Sequence, residues 1–558
     1  KKSLRIEGYS PVNILMIGFA RATIQTLQVR CRTQLGFGDE DVKAIRTIHS
    51  RCWEEVSKGE KKYWHLTPQN MKIFKNQINT PYKDWVKIKD FEKGDFETDE
   101  IGSPSDIDGL KIYNHLQIIQ RGRSMSKYGD SWESVLYYYN NHDELGYTNV
   151  RMNDLKHTYN CYEKFRKDND LMDFVDMLYY GLNKANFKSY KILIVDECQD
   201  LNPLLWKVIR KINKKSQYLI LAGDDDQAIY KFNAGDVREF LEFPCDTKVT
   251  LKTSHRLPRK IKNLAERMIH HIPCKTGRNG APPRRQEKNY QAANKEGSIH
   301  RIQEVEELKN SIKPDGKWIF CARTGRQNYP WKNFCIKQGI VWKSRGNLRG
   351  KDKNAINKDF AYSINDTVKN AIDIYEDVRD SGFIHGEDLF SLVKHIKGKY
   401  CNRLKEKLTD ASSGLIVPEH LYSIKEIIEE LQWLKVDFSK PWFNFLHFDT
   451  EAFAFKEGEK DFNAYVQKCW LKEPTLRETN IIISTIHGVK GMEAPNVVVC
   501  DVWTSMPWRS YTEKTLSHRD EEIRCCYVAI TRTGQRLFIW SPLIQKSRGE
   551  HQFDLLQI

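Results

Sequence analysis

The 13 cysteines form no Cys-x-x-Cys pair and no Cys/His knuckle. That excludes the usual spacings of a structural zinc site. Their odd number and scatter suit reduced thiols. The neighbours Cys525 and Cys526 sit in an apolar run and read as core residues. No apolar run approaches the ~20 residues that cross a bilayer, so no membrane partner is expected. The start, Lys1-Lys2-Ser3-Leu4-Arg5, has no initiator methionine and no apolar stretch of a secretory signal behind it. The native start is therefore expected further upstream, and the protein in the cytoplasm. No internal repeat or low-complexity tract stands out.

What is present is length and positive charge. At 558 residues the chain exceeds one compact core, so several domains are expected. Lys and Arg number 89 against 74 Asp and Glu, a formal net charge of +15. Such an excess favours a polyanionic partner, and nucleic acid is the commonest. The cations are spread along the chain, densest from Lys252 to Arg285, with no single basic tail.

Apolar runs and amphipathic stretches alternate. Asn13–Phe19 and Lys43–His49 read as strands, with a helix between them from Ala22 to Leu35. Residues 82–188 are polar, rich in Tyr, Asn and Asp, and mostly helical in pattern. Strand signals return at Ile192–Val195, Tyr218–Ala222 and Val249–Leu251. Lys317–Cys321 and Ile481–Ser484 read as strands of a second unit, and residues 350–478 are again polar and helical. The organisation implied is α/β, with two parallel-sheet domains that each carry a mainly helical insertion. The first would be built from 1–81 and 189–250, interrupted by 82–188. The second would be built from 251–349 and 479–558, interrupted by 350–478. Lys275–Pro283 reads as an irregular basic linker.

Chemistry enters at two strand ends. Ile192–Val195 runs into Asp196-Glu197-Cys198-Gln199-Asp200. In an open α/β sheet, ligands sit beyond the carboxyl ends of the strands. There Asp196 suits a Mg²⁺ held through water, and Glu197 suits the orientation and deprotonation of an attacking water. Taken alone, the pair also fits a strand running into an acidic turn. Tyr218–Ala222 runs into Gly223-Asp224-Asp225-Asp226-Gln227-Ala228-Ile229-Tyr230. Gln227, uncharged and able to donate and accept, suits a sensor of phosphate and water. Phe232 follows shortly after, where an aromatic could stack on a single-stranded base.

These two segments resemble motifs II and III of the UvrD/Rep/PcrA-like superfamily 1 helicases. Further matches follow in family order. Leu251-Lys252-Thr253-Ser254-His255-Arg256 resembles motif IV. Ser484–Glu493, with Thr485, His487 and Gly491, resembles motif V. Tyr527-Val528-Ala529-Ile530-Thr531-Arg532 resembles motif VI. Upstream, Ile17–Ala22 resembles motif Ia and Thr47–Ser50 motif Ib. Met172–Leu178 resembles the block before motif II. The match covers nearly the whole chain.

The resemblance implies two RecA-like domains, ATP and Mg²⁺ as cofactors, and ATP hydrolysis at the cleft between them. It implies 3′-to-5′ movement on single-stranded DNA, up to a duplex junction, by a monomeric core in a bacterial or phage-infected cell. Arg256 and Arg532 would reach the γ-phosphate, as guanidinium forks suit. Gly491 and Glu493 would hold the nucleotide, with Glu493 on the ribose hydroxyls. Thr485 and His487 would couple the nucleotide site to the DNA track, which Phe19, His49 and Phe232 would line. Two departures lie on the DNA side. Ala20-Arg21-Ala22 replaces the family's Thr-Asn-Lys-Ala, and Lys231–Gly235 lacks the family's arginine.

The resemblance also implies a phosphate loop one helix before motif Ia, and no Gly-x-x-x-x-Gly-Lys-Ser/Thr occurs in the 558 residues. A longer native chain carrying that loop is the first expectation, and this stretch alone is then expected to hydrolyse ATP poorly. The second reading is a non-catalytic DNA-binding or assembly subunit of a repair or defence complex, whose DNA binding ATP would not alter. About two dozen residues follow Arg532, too few for a nuclease domain. An accessory nuclease or a loading protein would therefore be a separate partner.

Overall fold

The computed structural model describes residues 13–18, 21–56, 62–63, 107–141, 150–230, 237–276, 283–312, 316–345, 360–362, 366–395, 420–431, 464–469, 479–512, 516–543, 550–553 and 556. Phe19 and Phe232 lie outside them.

The first sheet has four parallel strands in the order β2-β1-β3-β4. They are β1 (Ile14–Gly18), β2 (Ile45–Thr47), β3 (Tyr190–Val195) and β4 (Ser216–Leu221). Helix α1 (Arg21–Leu35) follows β1, and α2 (Ile48–Val56) follows β2. Helix α3 (Pro203–Asn213) joins β3 to β4. Its start is specified locally. The Asn202 side chain accepts from Leu205 N, and Pro203 occupies the first turn, where no N–H is needed. Its inner face buries Leu204, Leu205, Trp206, Val208, Ile209 and Ile212 on the sheet.

The second sheet has seven strands. They are β5 (Ser298–Ile302), β6 (Trp318–Ala322), β7 (Lys343–Arg345), β8 (Phe360–Tyr362), β9 (Ile481–Thr485), β10 (Ala494–Cys500) and β11 (Thr533–Trp540). Their order is β8-β7-β9-β6-β10-β11-β5, parallel except for the edge pair β8-β7. Strand β6 shows why its sequence is apolar throughout. Trp318, Phe320 and Ala322 face one core while Ile319 and Cys321 face another. Both faces of the sheet are covered, so period-two alternation loses its polar half. Helices α4 (Arg259–Ile269) and α5 (Leu516–Thr531) cover the second of these faces. In α5, Cys525 and Cys526 are fully buried, as expected.

The first insertion holds helices at Ile107–Met125, Trp132–Asn141 and Met152–Asp168 around a small core of Leu116, Val135, Leu155, Tyr162 and Phe165. The helix Phe174–Asn183, expected within it, packs elsewhere. Val175, Met177 and Leu178 join the core of the first sheet. In packing, this helix goes with the first sheet. The two units are tied by Arg123, whose guanidinium is fully buried. It reaches Asp173 at 2.8 Å, Asp176 at 2.5 Å and Asp130 at 2.6 Å.

The expected strand at Val249–Leu251 does not form. Val249 is 79% and Leu251 82% exposed. Pairing starts two residues further on, where Gln291 N donates to Lys252 O at 2.8 Å and Ser254 N donates to Gln291 O at 2.9 Å. No helix among the described residues is long and apolar enough to cross a membrane.

Candidate active site

Strands β3 and β4 end side by side, and backbone hydrogen bonds fix both ends. Asp196 N donates to Ile17 O at 2.9 Å, and Ala222 N donates to Val195 O at 2.8 Å. The chain then turns at Glu197 in a left-handed conformation, φ 55°. For a residue with a Cβ this costs about 1 kcal/mol, which the surrounding contacts must offset. Glu197 N donates to Asp196 Oδ1 at 3.0 Å. Gln199 Nε2 donates to Glu197 Oε2 at 2.5 Å, while Gln199 Oε1 accepts from Asp224 N at 3.0 Å. Gln199 thus bridges the two acidic strand ends. A Cβ at Gly223 would lie 2.6 Å from its Oε1, so the bridge needs glycine there. Burial, then the Glu197 charge, pushes the Asp196 carboxyl above its ordinary range.

The second domain meets these ends directly. Arg532, just past the end of α5, is almost fully buried. Its Nη2 donates to Gln227 Oε1 at 3.0 Å, its Nη1 to Met492 O at 3.3 Å and its Nε to Val528 O at 3.0 Å. Burial, then the neighbouring Arg256 cation, lowers its guanidinium to about 10. It still carries its charge at neutral pH. Gln227 in turn donates from Nε2 to Asp224 Oδ2 at 2.7 Å. Arg256 Nη1 reaches Glu493 Oε2 at 3.4 Å, and Arg30 of α1 reaches Glu493 Oε1 at 3.6 Å. Gly491 adopts φ +81°, the left-handed turn that carries the chain on to Glu493.

The structure therefore brings Asp196, Glu197 and Gln227 of the first domain together with Arg256, Glu493 and Arg532 of the second. Several partners were not singled out from sequence. Lys490 Nζ lies 2.7 and 2.6 Å from the two Asp200 oxygens and 2.6 Å from Gln227 O. It also sits 4.8 Å from the Tyr230 ring centroid. Burial pushes Asp200 up to about 7 even though Lys490 opposes it. Lys288 pairs with Asp224, Asp225 and Asp226. Arg30 was legible only as one cation among several on a helix.

Three residues expected to couple the site to DNA or to line its path lie among the described residues. Thr485, at the end of β9, is buried and its hydroxyl accepts from Gly488 N at 3.1 Å. His487 is buried between the domains, with Nε2 3.1 Å from Ile229 O, and its carbonyl accepts from the Tyr230 hydroxyl at 3.3 Å. His49 is half-buried, edge-on to Phe174 at 5.3 Å. Desolvation lowers its imidazole to about 4 against the opposing pull of Asp173.

A Mg²⁺ fits Asp196 by donor chemistry. It is a carboxylate with one oxygen on a backbone N–H, and the other has no protein partner among the described residues.

Residues 2–248 match the model of the UvrD/REP helicase N-terminal domain, and residues 442–542 match that of the UvrD-like helicase C-terminal domain. A probable DNA helicase II homolog of Rickettsia conorii is 23% identical over 436 residues, 68% of this chain and 66% of its own length. The match thus spans just under two thirds of that relative. The ATP-dependent DNA helicase PcrA of Bacillus subtilis is 22% identical over 601 residues, 95% of this chain and 76% of its own length. The putative ATP-dependent DNA helicase YjcD of the same organism is 20% identical over 629 residues, 99% of this chain and 76% of its own.

Proposed function

The chain belongs to the UvrD/Rep helicase family, and on that premise we propose that it is an ATP-driven DNA helicase that moves 3′-to-5′ on single-stranded DNA. The observation that carries the reading is the hydrogen bond from Arg532 of the second domain to Gln227 of the first, beside the Asp196–Glu197 pair. A nucleotide bound there would touch both domains at once, so binding and hydrolysis would change how they fit.

Each residue has a chemical part. Glu197 takes the proton of the attacking water, and Gln199 holds its carboxylate in place. Gln227 hydrogen-bonds the water or the γ-phosphate. Arg256 and Arg532 meet the charge that develops on the transferred group. Glu493 accepts from ribose hydroxyls, with Arg30 and Arg256 beside it. Asp196 would hold Mg²⁺ through water, and the ion would there neutralise phosphate charge. Thr485 and His487 link the site to the DNA path, His487 through Ile229 and Tyr230. His49, Phe19 and Phe232 are proposed along that path.

The test is hydrolysis and unwinding by the full gene product. ATP hydrolysis should rise with single-stranded DNA, and a duplex with a 3′ tail should be unwound. Unwinding from a 5′ tail alone would reverse the polarity. DNA binding without hydrolysis, indifferent to ATP, would favour the assembly-subunit reading.

A further inference from the structure

Residues 284–288 cross from the second domain to the acidic loop after β4. Arg284 anchors the segment on α5, with Nε 2.6 Å and Nη2 3.1 Å from the Asp520 carboxylate. Arg524 donates to Arg284 O at 2.8 Å. Beyond this anchor, Arg285 reaches Asp226 at 3.5 Å, and Gln286 N donates to Asp225 Oδ2 at 2.7 Å. Lys288 ends the crossing. Its ammonium contacts Asp224, lies 2.6 Å from Asp225 and 2.9 Å from Asp226.

Oxygens of these three carboxylates lie within 4.8 Å of one another, a spacing that suits a cation. Here the cation is Lys288. Three like charges so close would repel and turn away from one another without it. The contact with Asp224 matters most, because the other Asp224 oxygen accepts from Gln227 Nε2 at 2.7 Å. Gln227 Oε1 then accepts from Arg532. The groups form one line, Lys288–Asp224–Gln227–Arg532, with both ends on the second domain and the sensor in the middle.

We propose that Lys288 is a positioning residue for Gln227, fixing through Asp224 which way the carboxamide faces. A carboxamide turned by 180° would aim its NH₂ at the Arg532 donor and its oxygen at the Asp224 carboxylate, and both contacts would become repulsive. Lys288 removes that alternative by holding Asp224 as an ionised acceptor. Any change in the fit of the two domains therefore moves the sensor from both sides.

The inference rests on the ATPase reading, so the test has arms that do not. In the full gene product, Lys288→Met should lower kcat for DNA-stimulated ATP hydrolysis about 10–100-fold with KM for ATP changed less than about threefold. Lys288→Arg should keep kcat within about threefold of wild type, since it restores the cation. Equal kcat in Lys288→Met and wild type, per folded molecule, overturns the proposal. So does an equal loss in both variants that only tracks their melting. If Lys288→Met does not fold, Asp224→Asn, which leaves Lys288 two carboxylates, takes its place with the same expected loss. A crystal structure of the variant should show the Gln227 amide turned or displaced from Asp224. An unmoved Gln227 overturns the proposal even if the wild type hydrolyses no ATP, a result that would instead sink the ATPase reading.

Discussion

Arg532 and Gln227 meet across the two domains, Nη2 to Oε1 at 3.0 Å, although 305 positions separate them in the chain. The arginine is buried and held at Val528 O and Met492 O, so the fork is already aimed. Arg532→Ala should cut DNA-stimulated ATP hydrolysis by about 10³-fold or more, as loss of an arginine finger does. Arg532→Lys should recover little. Its ammonium is a point charge that cannot serve Gln227, Met492 O and a phosphate oxygen together. Steady-state hydrolysis beside ATP binding measures both. Wild-type kcat in either variant would remove Arg532 from the mechanism.

Glu197 has a different signature. Its carboxylate is held by Gln199 at 2.5 Å on a left-handed backbone, so Glu197→Gln keeps size and much of the geometry while removing the proposed base. The expected loss is about 10²–10⁴-fold in kcat, the range for general base catalysis. ATP and DNA binding should survive. Single-turnover hydrolysis with pre-bound ATP isolates the step, and an undiminished rate would assign the base elsewhere.

Much of this site was legible because strand ends announce themselves. An apolar run that stops at Asp196-Glu197, or at Asp224–Gln227, marks both the sheet and its carboxyl edge. What the two edges face was not legible. Asp200 and Lys490 each lie in a recognisable motif, yet 290 positions separate them and only the fold joins them. Lys288 lies just past the basic stretch that ends at Arg285, and its cation looks like the others in sequence. Local pattern also misled. Val249 and Leu251 alternate as a strand would, but pairing starts only beyond them. The helix Phe174–Asn183 sits in a polar, tyrosine-rich context, and its inward Val175, Met177 and Leu178 assign it to the first sheet.

The Asp200–Lys490 pair is buried between the domains, so removing one member leaves the other uncompensated. Lys490→Met should destabilise the protein by about 3–5 kcal/mol, and Asp200→Asn with Lys490→Met should recover part of that. The penalty should depend on pH. Asp200 in the fold titrates at about 7, pushed up from its ordinary range by burial. Its protonated form is the one burial favours, so its contribution to stability is fullest in acid and falls as pH rises toward 7. Only above that does it form an ion pair with Lys490. The cost of Lys490→Met should therefore be smaller at pH 5 than at pH 8.5 in thermal or urea unfolding. A cost that shrinks as pH rises would contradict the pairing.

His49 poses the reverse case. Desolvation lowers its imidazole to about 4, while the unfolded chain titrates near 6.5. Its neutral form belongs to the fold. The stability it contributes is therefore complete above about pH 6.5 and is lost as pH falls toward 4, because the unfolded chain then binds the extra proton. His49→Phe should flatten that acid limb and leave stability at pH 8 less affected. The same neutrality bears on the place along the DNA path proposed for it. A cation on the phosphate backbone releases about one counterion, so its removal changes the slope of log affinity against log salt by about 1. At pH 7.5, His49→Ala should lower affinity for single-stranded DNA without changing that slope, as loss of an uncharged hydrogen bond or stacking contact would. A slope that falls by about 1 would mean that His49 is charged on the DNA, and that binding the phosphates overcomes the desolvation set by Phe174 and its surroundings.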